Sequence, residues 1–232
     1  MKFMMEPRFD SRRQFLTAGI CIIGATGTAA AQKKKEEEEE VSPAEDLMRE
    51  HGVLKRVLLI YRNIIERIDA RRDYPPDVVM SSARLIRAFV EDYHEKLEED
   101  YLFPRFKKAN RLVQLVDVLK EQHQKGRILT DKTMQLATAS AMKDAGQRAD
   151  LRNALHLFVR MYEPHEARED TVLFPAFHKL VSQHEYDALG EDFEKKENEL
   201  FHGDGFEKNV DAVANLEKQL GIYDLAQFTP HV

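Results

Sequence analysis

His94-Glu-Lys-Leu-Glu98-Glu-Asp-Tyr-Leu-Phe-Pro-Arg-Phe-Lys-Lys108 returns 71 positions later as His165-Glu-Ala-Arg-Glu169-Asp-Thr-Val-Leu-Phe-Pro-Ala-Phe-His-Lys179. Both copies read H-E-x-x-E-[ED]-x-x-L-F-P-x-F-x-K. On an α-helix, residues i and i+4 lie one above the other with Cβ atoms about 6 Å apart, so an imidazole and a carboxylate at that spacing reach one ion. His94 with Glu98 and His165 with Glu169 are two such claws. A single H-x-x-x-E is ordinary helix decoration. Duplicated within matching sequence, it reads as two halves of one site with two-fold-like symmetry.

Outward from the claws, the apolar periodicity predicts four long helices. Ser42-Pro43-Ala44-Glu45 is a capping box with proline at the first helical position. From it Leu47, His51, Leu54, Leu58, Tyr61, Ile65 and Ile68 recur at steps of four and three, the seam of a packed helix. A turn with Pro75 and Pro76 follows. The second helix then buries Ile86, Val90, His94, Leu97 and Tyr101, with Pro104 marking its expected end. The third carries Leu112, Val116, Leu119, His123, Gly126 and Thr130 on its seam. Gly126, about 1 kcal/mol worse than Ala in a helix, suggests that something bulky comes close. A small polar link from Ala137 to Asp150 leads to Leu151, Leu155, Phe158, Tyr162, His165, Glu169 and Val172, with Pro164 expected to kink the helix. The fold class is therefore all-α: an antiparallel up-down-up-down four-helix bundle over residues 42–182, with further helices in a C-terminal extension over 183–232.

Each bundle helix contributes an inward histidine, so the expected ligands are His51, His94, Glu98, His123, His165 and Glu169. Four imidazoles and two carboxylates are too many for one tetrahedral zinc. Inward Glu and His on a bundle are the recipe for di-iron and di-manganese sites. If Glu98 and Glu169 both bridge, each ion receives two nitrogens and two oxygens, and a shared water-derived oxygen brings the count to about five with a position open. Ligands without sulfur suit iron or manganese more than copper(I) or structural zinc. Glu95 and Glu166 follow the claw histidines about 100° around the helix and are expected to face solvent or to accept hydrogen bonds from the ligands. Tyr61, Tyr101 and Tyr162 are expected near the same level, where a hydroxyl could donate to bound oxygen or simply fill the core.

These residues resemble a hemerythrin-like protein of the HHE cation-binding type, over about residues 43 to 180. The likeness rests on the order and spacing of His51, His94-Glu95-x-x-Glu98, His123 and His165-Glu166-x-x-Glu169. It implies a bundle around a non-haem centre of two iron ions, oxo- or hydroxo-bridged, with manganese less suited, that reacts with dioxygen or a related diatomic such as nitric oxide. The oxygen-carrying members have a second histidine one turn after the third-helix ligand; here that place is Arg127. A guanidinium stays protonated and cannot ligate. Arg127 is therefore expected to pair with Glu98, Glu169 or a neighbouring acid such as Glu95, with a side chain snorkelling at the seam's edge as the alternative. Their fourth helix closes the motif with Asp one residue later than Glu169; here Asp170 follows it. With one imidazole fewer, redox chemistry as a di-iron oxidase, peroxidase, nitric oxide reductase or iron-centre repair protein stands beside capture, storage or sensing of the diatomic.

The remaining chain bounds the setting. Residues 1–31 carry Arg12-Arg13, a mildly apolar run from Leu16 to Gly27 and Ala29-Ala30-Ala31, resembling a twin-arginine export signal. That run falls short of the ~20 residues of a membrane span, so a periplasmic protein without a mature membrane anchor is expected. Residues 32–41, with Lys33 to Lys35 running into Glu36 to Glu40, have nothing to bury and read as a charged linker. The formal charge of −6 with no concentrated basic patch argues against nucleic acid as a partner. Cys21, the single cysteine, lies in the export segment, which excludes disulfide and thiolate chemistry from the mature chain. Any redox partner is unspecified by these features.

Overall fold

The computed structural model describes residues 41–230. The expected export signal at 1–31 and all but Val41 of the linker lie outside them. Among the described residues there is no strand, and no helix is long and apolar enough to cross a membrane.

Helix α1, Pro43–Asp69, starts where the capping box places it, the Ser42 hydroxyl accepting from the Glu45 N–H. Helix α2 is a continuous run over 76–108 in which α-helical Pro76–Leu85, Glu95–Leu97 and Phe103–Lys108 alternate with wider π-helical Ile86–His94 and Glu98–Leu102. Helix α3 is Val113–Leu136 and α4 the short Ala139–Lys143. Helix α5 covers 145–177, as α-helical Ala145–Arg168, π-helical Glu169–Leu173 and α-helical Phe174–Phe177. Helices α6, Gln183–Phe201, and α7, Gly205–Leu220, complete the fold.

Helices α1 and α3 each pack against both α2 and α5, so the order around the bundle is α1, α2, α3, α5. Their inner faces bury Leu54, Tyr61, Phe89, Leu119, Leu155, Phe158 and Phe177, among others. At about 1.5–3 kcal/mol for each large apolar side chain, this burial is what holds the helices together. Helices α6 and α7 lie on the α1 and α2 side. The Arg56 guanidinium grips Glu217 of α7 through two nitrogens at 2.6 and 3.1 Å, and Phe201 meets Tyr93 edge-on at 5.5 Å.

Three sequence expectations need correction. Pro104 does not end the second helix, which runs on to Lys108. A proline cannot donate to the carbonyl four residues back and its ring crowds that carbonyl. The chain answers by widening the turn before it: the Phe103 N–H bonds the Glu98 carbonyl, five residues back, and the Phe174 N–H bonds that of Glu169 before Pro175. Secondly, helix α5 passes through Pro164 in α form, and its wide turn comes at Glu169 instead. Thirdly, the polar link over 137–150 is mostly helical, because Thr138 caps α4 by accepting from the Ala141 N–H and Asp144 caps α5 by accepting from the Gln147 N–H.

Candidate metal centre

The two wide turns sit at the two claw glutamates, so each duplicated motif delivers its Glu at the same kind of backbone irregularity. Wide turns of this kind are frequent at functional sites. His51 of α1, His94 and Glu98 of α2, His123 of α3 and His165 and Glu169 of α5 converge there, all buried. Donor atoms of Glu98, His123, His165 and Glu169 lie within 4.8 Å of one another, and so do those of His51, His94 and Glu169. The Glu98 Oε2 atom lies 3.4 Å from His123 Nε2 and 3.8 Å from His94 Nε2. Glu169 Oε2 lies 3.1 Å from His165 Nε2 and 3.4 Å from His51 Nε2. Glu98 thus faces His94 and His123, and Glu169 faces His51 and His165.

The other nitrogen of every ring points outward to an acceptor. His51 Nδ1 meets Asp170 at 2.7 Å, His94 Nδ1 meets Glu50 at 2.8 Å, His123 Nδ1 meets Glu99 at 3.1 Å, and His165 Nδ1 meets the Gln122 amide oxygen at 2.9 Å. A carboxylate or amide oxygen only accepts, which assigns a proton to Nδ1 and leaves Nε2 as the inward-facing nitrogen that a bound cation would take. Metal-binding imidazoles are oriented this way, by a hydrogen bond at the opposite nitrogen. The four bonds link α1 to α2, α2 to α3, α3 to α5 and α5 to α1, a closed circuit around the bundle. Sequence reasoning passed over Glu50, Glu99 and Gln122, although a signal was present. Glu50 and Gln122 immediately precede the inward histidines of α1 and α3, and Glu99 and Asp170 immediately follow the two claw glutamates.

The electrostatics define what is missing. Neither oxygen of Glu98 or of Glu169 has a hydrogen-bond partner, and no Lys or Arg among the described residues pairs with either group. Burial, reinforced by Glu169, pushes the Glu98 carboxyl well up. Burial opposes ionisation of Glu169 too, but His165 and His51 outweigh it and hold that carboxyl well below its ordinary value. Burial lowers His94 strongly and His123 to about 4, while Asp170 and Glu169 overcome burial and raise His51 to about 9. Buried carboxylates and inward lone pairs without a fixed cation are stabilised by bound positive charge. The residues present fit a metal cation held by nitrogen and oxygen.

Around this centre the expected outer groups divide. Glu95 and Glu166 do not face solvent: both are buried, because a neighbouring helix lies on that side of each claw. Glu95 accepts from the Tyr162 hydroxyl at 2.6 Å and pairs with the Arg127 guanidinium at 2.8 Å, and burial pushes its carboxyl up to about 8. Arg127 also reaches Glu99 at 2.8 Å, on the Nδ1 flank of His123 and outside the cluster of Nε2 atoms. Gly126 makes room for Tyr162, whose hydroxyl a Cβ would overlap. Tyr61 lies ten residues from His51, about 15 Å along the helix, and packs on Phe158, too far to reach the His and Glu cluster. Tyr101, turned by the wide turn that contains it, packs against Phe193 of α6 instead.

Comparison with known proteins agrees with this geometry. Residues 42–141 match the hemerythrin HHE cation binding domain. An uncharacterized protein of Mycobacterium tuberculosis and one of Mycobacterium bovis are each 50% identical over 190 residues, covering 82% of this chain and 74% of the relative. No solved structure matches. The second copy of the motif lies beyond the matched 42–141, yet His165 and Glu169 complete the same cluster as His51, His94, Glu98 and His123. The chain belongs to one family with these mycobacterial proteins, and its own residues 42–141 place a hemerythrin HHE cation binding domain on an all-α bundle.

Proposed function

We propose that the chain is a non-haem di-iron protein that binds dioxygen or nitric oxide in the cell envelope, as carrier, store or sensor. One observation carries this reading: four Nε2 atoms face two unpartnered carboxylates while all four Nδ1 atoms are hydrogen-bonded outward. His51 and His94 would hold one ion, His123 and His165 the other, with Glu98 and Glu169 shared between them. Iron, when bound, supplies redox-active positions for a diatomic. The chain's own residues fix the ring orientations through Asp170, Glu50, Glu99 and Gln122, and the apolar walls around them keep bulk water out. Phe174 stacks beside His51 at 5.6 Å, and Phe103 beside His123 at 5.5 Å.

A second reading, a di-iron oxidoreductase, is favoured by Arg127. Its guanidinium is committed to Glu95 and Glu99, so the chain would offer each ion two imidazoles and no third. Metal analysis should return about two irons per chain, as a bundle di-iron site requires, with near-ultraviolet absorption of a bridged iron pair. A single tightly held zinc would refute the reading. Stopped-flow mixing of the reduced protein with dioxygen or nitric oxide divides the two functions: a reversible adduct supports the binder, and turnover with an electron donor supports the enzyme. Export is proposed through Arg12 and Arg13, outside the described residues; replacing both with Lys should strand the precursor in the cytoplasm.

A further inference from the structure

The two ion positions are related by the duplication, so their surroundings can be compared residue by residue. Under that two-fold relation α1 exchanges with α3 and α2 with α5: His51 corresponds to His123, His94 to His165, Glu98 to Glu169 and Glu99 to Asp170. Glu50 then corresponds to Gln122, each one residue before its inward histidine. Both make the same bond, to Nδ1 of the claw histidine on the next helix, at 2.8 Å for Glu50 to His94 and 2.9 Å for Gln122 to His165. One acceptor is a carboxylate and the other a neutral amide. A carboxylate draws the Nδ1 proton more strongly, raises the basicity of Nε2 and so favours the more positive ion bound there.

The crossing pair reinforces the difference. Asp170 bonds His51 at 2.7 Å, with no Lys or Arg ion pair among the described residues. Glu99 bonds His123 at 3.1 Å but is itself matched by Arg127 at 2.8 Å and Lys96 at 2.6 Å. On the other flank, Lys55 is 56% exposed and 3.8 Å from Glu166, where solvent screens it. Both histidines of the α1 and α2 pair thus lean on carboxylates. Those of the α3 and α5 pair lean on an amide and on a carboxylate whose charge is neutralised.

Resting on the two-iron reading, we propose that the positions are electronically unequal: the ion between His123 and His165 is reduced first, and Glu50 and Gln122 are the positioning residues that set this order. Each reduction adds one electron from an external one-electron donor, with no bond broken and the Nδ1 protons kept by the imidazoles. The easily reduced position is then where a diatomic that prefers the reduced ion binds first.

The test is an anaerobic redox titration of the iron-loaded full chain, followed optically and by electron paramagnetic resonance, for wild type, Glu50→Gln, Gln122→Glu and the double exchange. Both substitutions preserve shape and a hydrogen-bond acceptor, and iron content is measured alongside. Wild type should titrate in two one-electron steps. Glu50→Gln should raise only the lower step and Gln122→Glu lower only the upper one, each by about tenfold in equilibrium constant, or ~59 mV for one electron. The double exchange should narrow the gap further. Two irons bound with neither step moved, or with both steps moved equally by each substitution, would overturn the inference while leaving the two-iron reading intact. A single ion per chain would overturn that reading and the inference with it.

Discussion

The two flanks of the centre were built from one motif and have since diverged around it. Where α2 meets α3, Glu95 is held from two sides, by Tyr162 at 2.6 Å and Arg127 at 2.8 Å. At the equivalent place between α1 and α5, Glu166 meets the exposed Lys55 at 3.8 Å. Arg127 and Lys55 each lie four residues after the inward histidine of their helix, so the contrast is between like positions. The two copies agree in what faces the cluster, four inward nitrogens and two buried carboxylates. They differ in what stands behind it, where an arginine fork can hold two carboxylates at once and a lysine acts as a solvated point charge.

The largest effect should come from breaking what the flanks share. Glu98→Ala and Glu169→Ala each remove a carboxylate facing both histidine pairs, and either should abolish metal loading as read by metal analysis. His156→Ala, at an exposed site away from the cluster, should leave the content unchanged. Equal loss in both glutamate variants supports sharing; loss of only one ion in either would show that the carboxylate serves a single position.

Next comes the locked flank. Arg127→Met leaves the Glu95 carboxyl buried without its cation, which should cost roughly 3 kcal/mol in denaturant titration of the metal-free protein at pH 9, above the value of about 8 where Glu95 ionises, and less at pH 6, where it is already neutral. Gly126→Ala presses a methyl onto the Tyr162 hydroxyl and should cost about 1–3 kcal/mol by the same measurement. Tyr162→Phe in that background should recover part of the loss, a coupling that a purely local helix effect would not show.

A third measurement concerns the buried acid one turn behind the locked flank. Glu91 accepts from Thr130 at 2.5 Å and pairs with Arg87 at 3.1 Å, yet burial raises its carboxyl from 4.5 to about 6. A carboxyl whose pKa rises on folding holds its proton longer in the folded state. Its stabilising contribution is present below about pH 4.5 and is lost as pH climbs through about 6, by about 2 kcal/mol in all. Glu91→Gln should therefore be more stable than wild type by up to that amount at pH 8, and indistinguishable from it at pH 4. A variant no more stable than wild type at pH 8 would show that the Arg87 pair outweighs burial.

The smallest effect belongs to the open flank. Lys55→Met should change stability by about 0–1 kcal/mol, as for other exposed pairs. A loss as large as that of Arg127→Met would erase the distinction between the flanks.

Sequence by itself determined the four long helices, their seams and the six inward His and Glu side chains, because each of these follows from local periodicity. An apolar residue every third or fourth position defines a face, and His51 and His123 fall on it as regularly as the leucines do. Tertiary structure decided what no period encodes. Pro104 signalled a break, but only the packed bundle turned it, and Pro175 in the second copy, into a wide turn that keeps both helices running past Glu98 and Glu169. Tyr61, Tyr101 and Tyr162 all sit on seams, yet distance along the axis and the turn at Glu98 leave Tyr162 alone beside the cluster. The bonds from His94 to Glu50 and from His165 to Gln122 join residues 44 and 43 positions apart. Pairings of that kind come from helices meeting side by side, and spacing along a single helix carries no record of its neighbour.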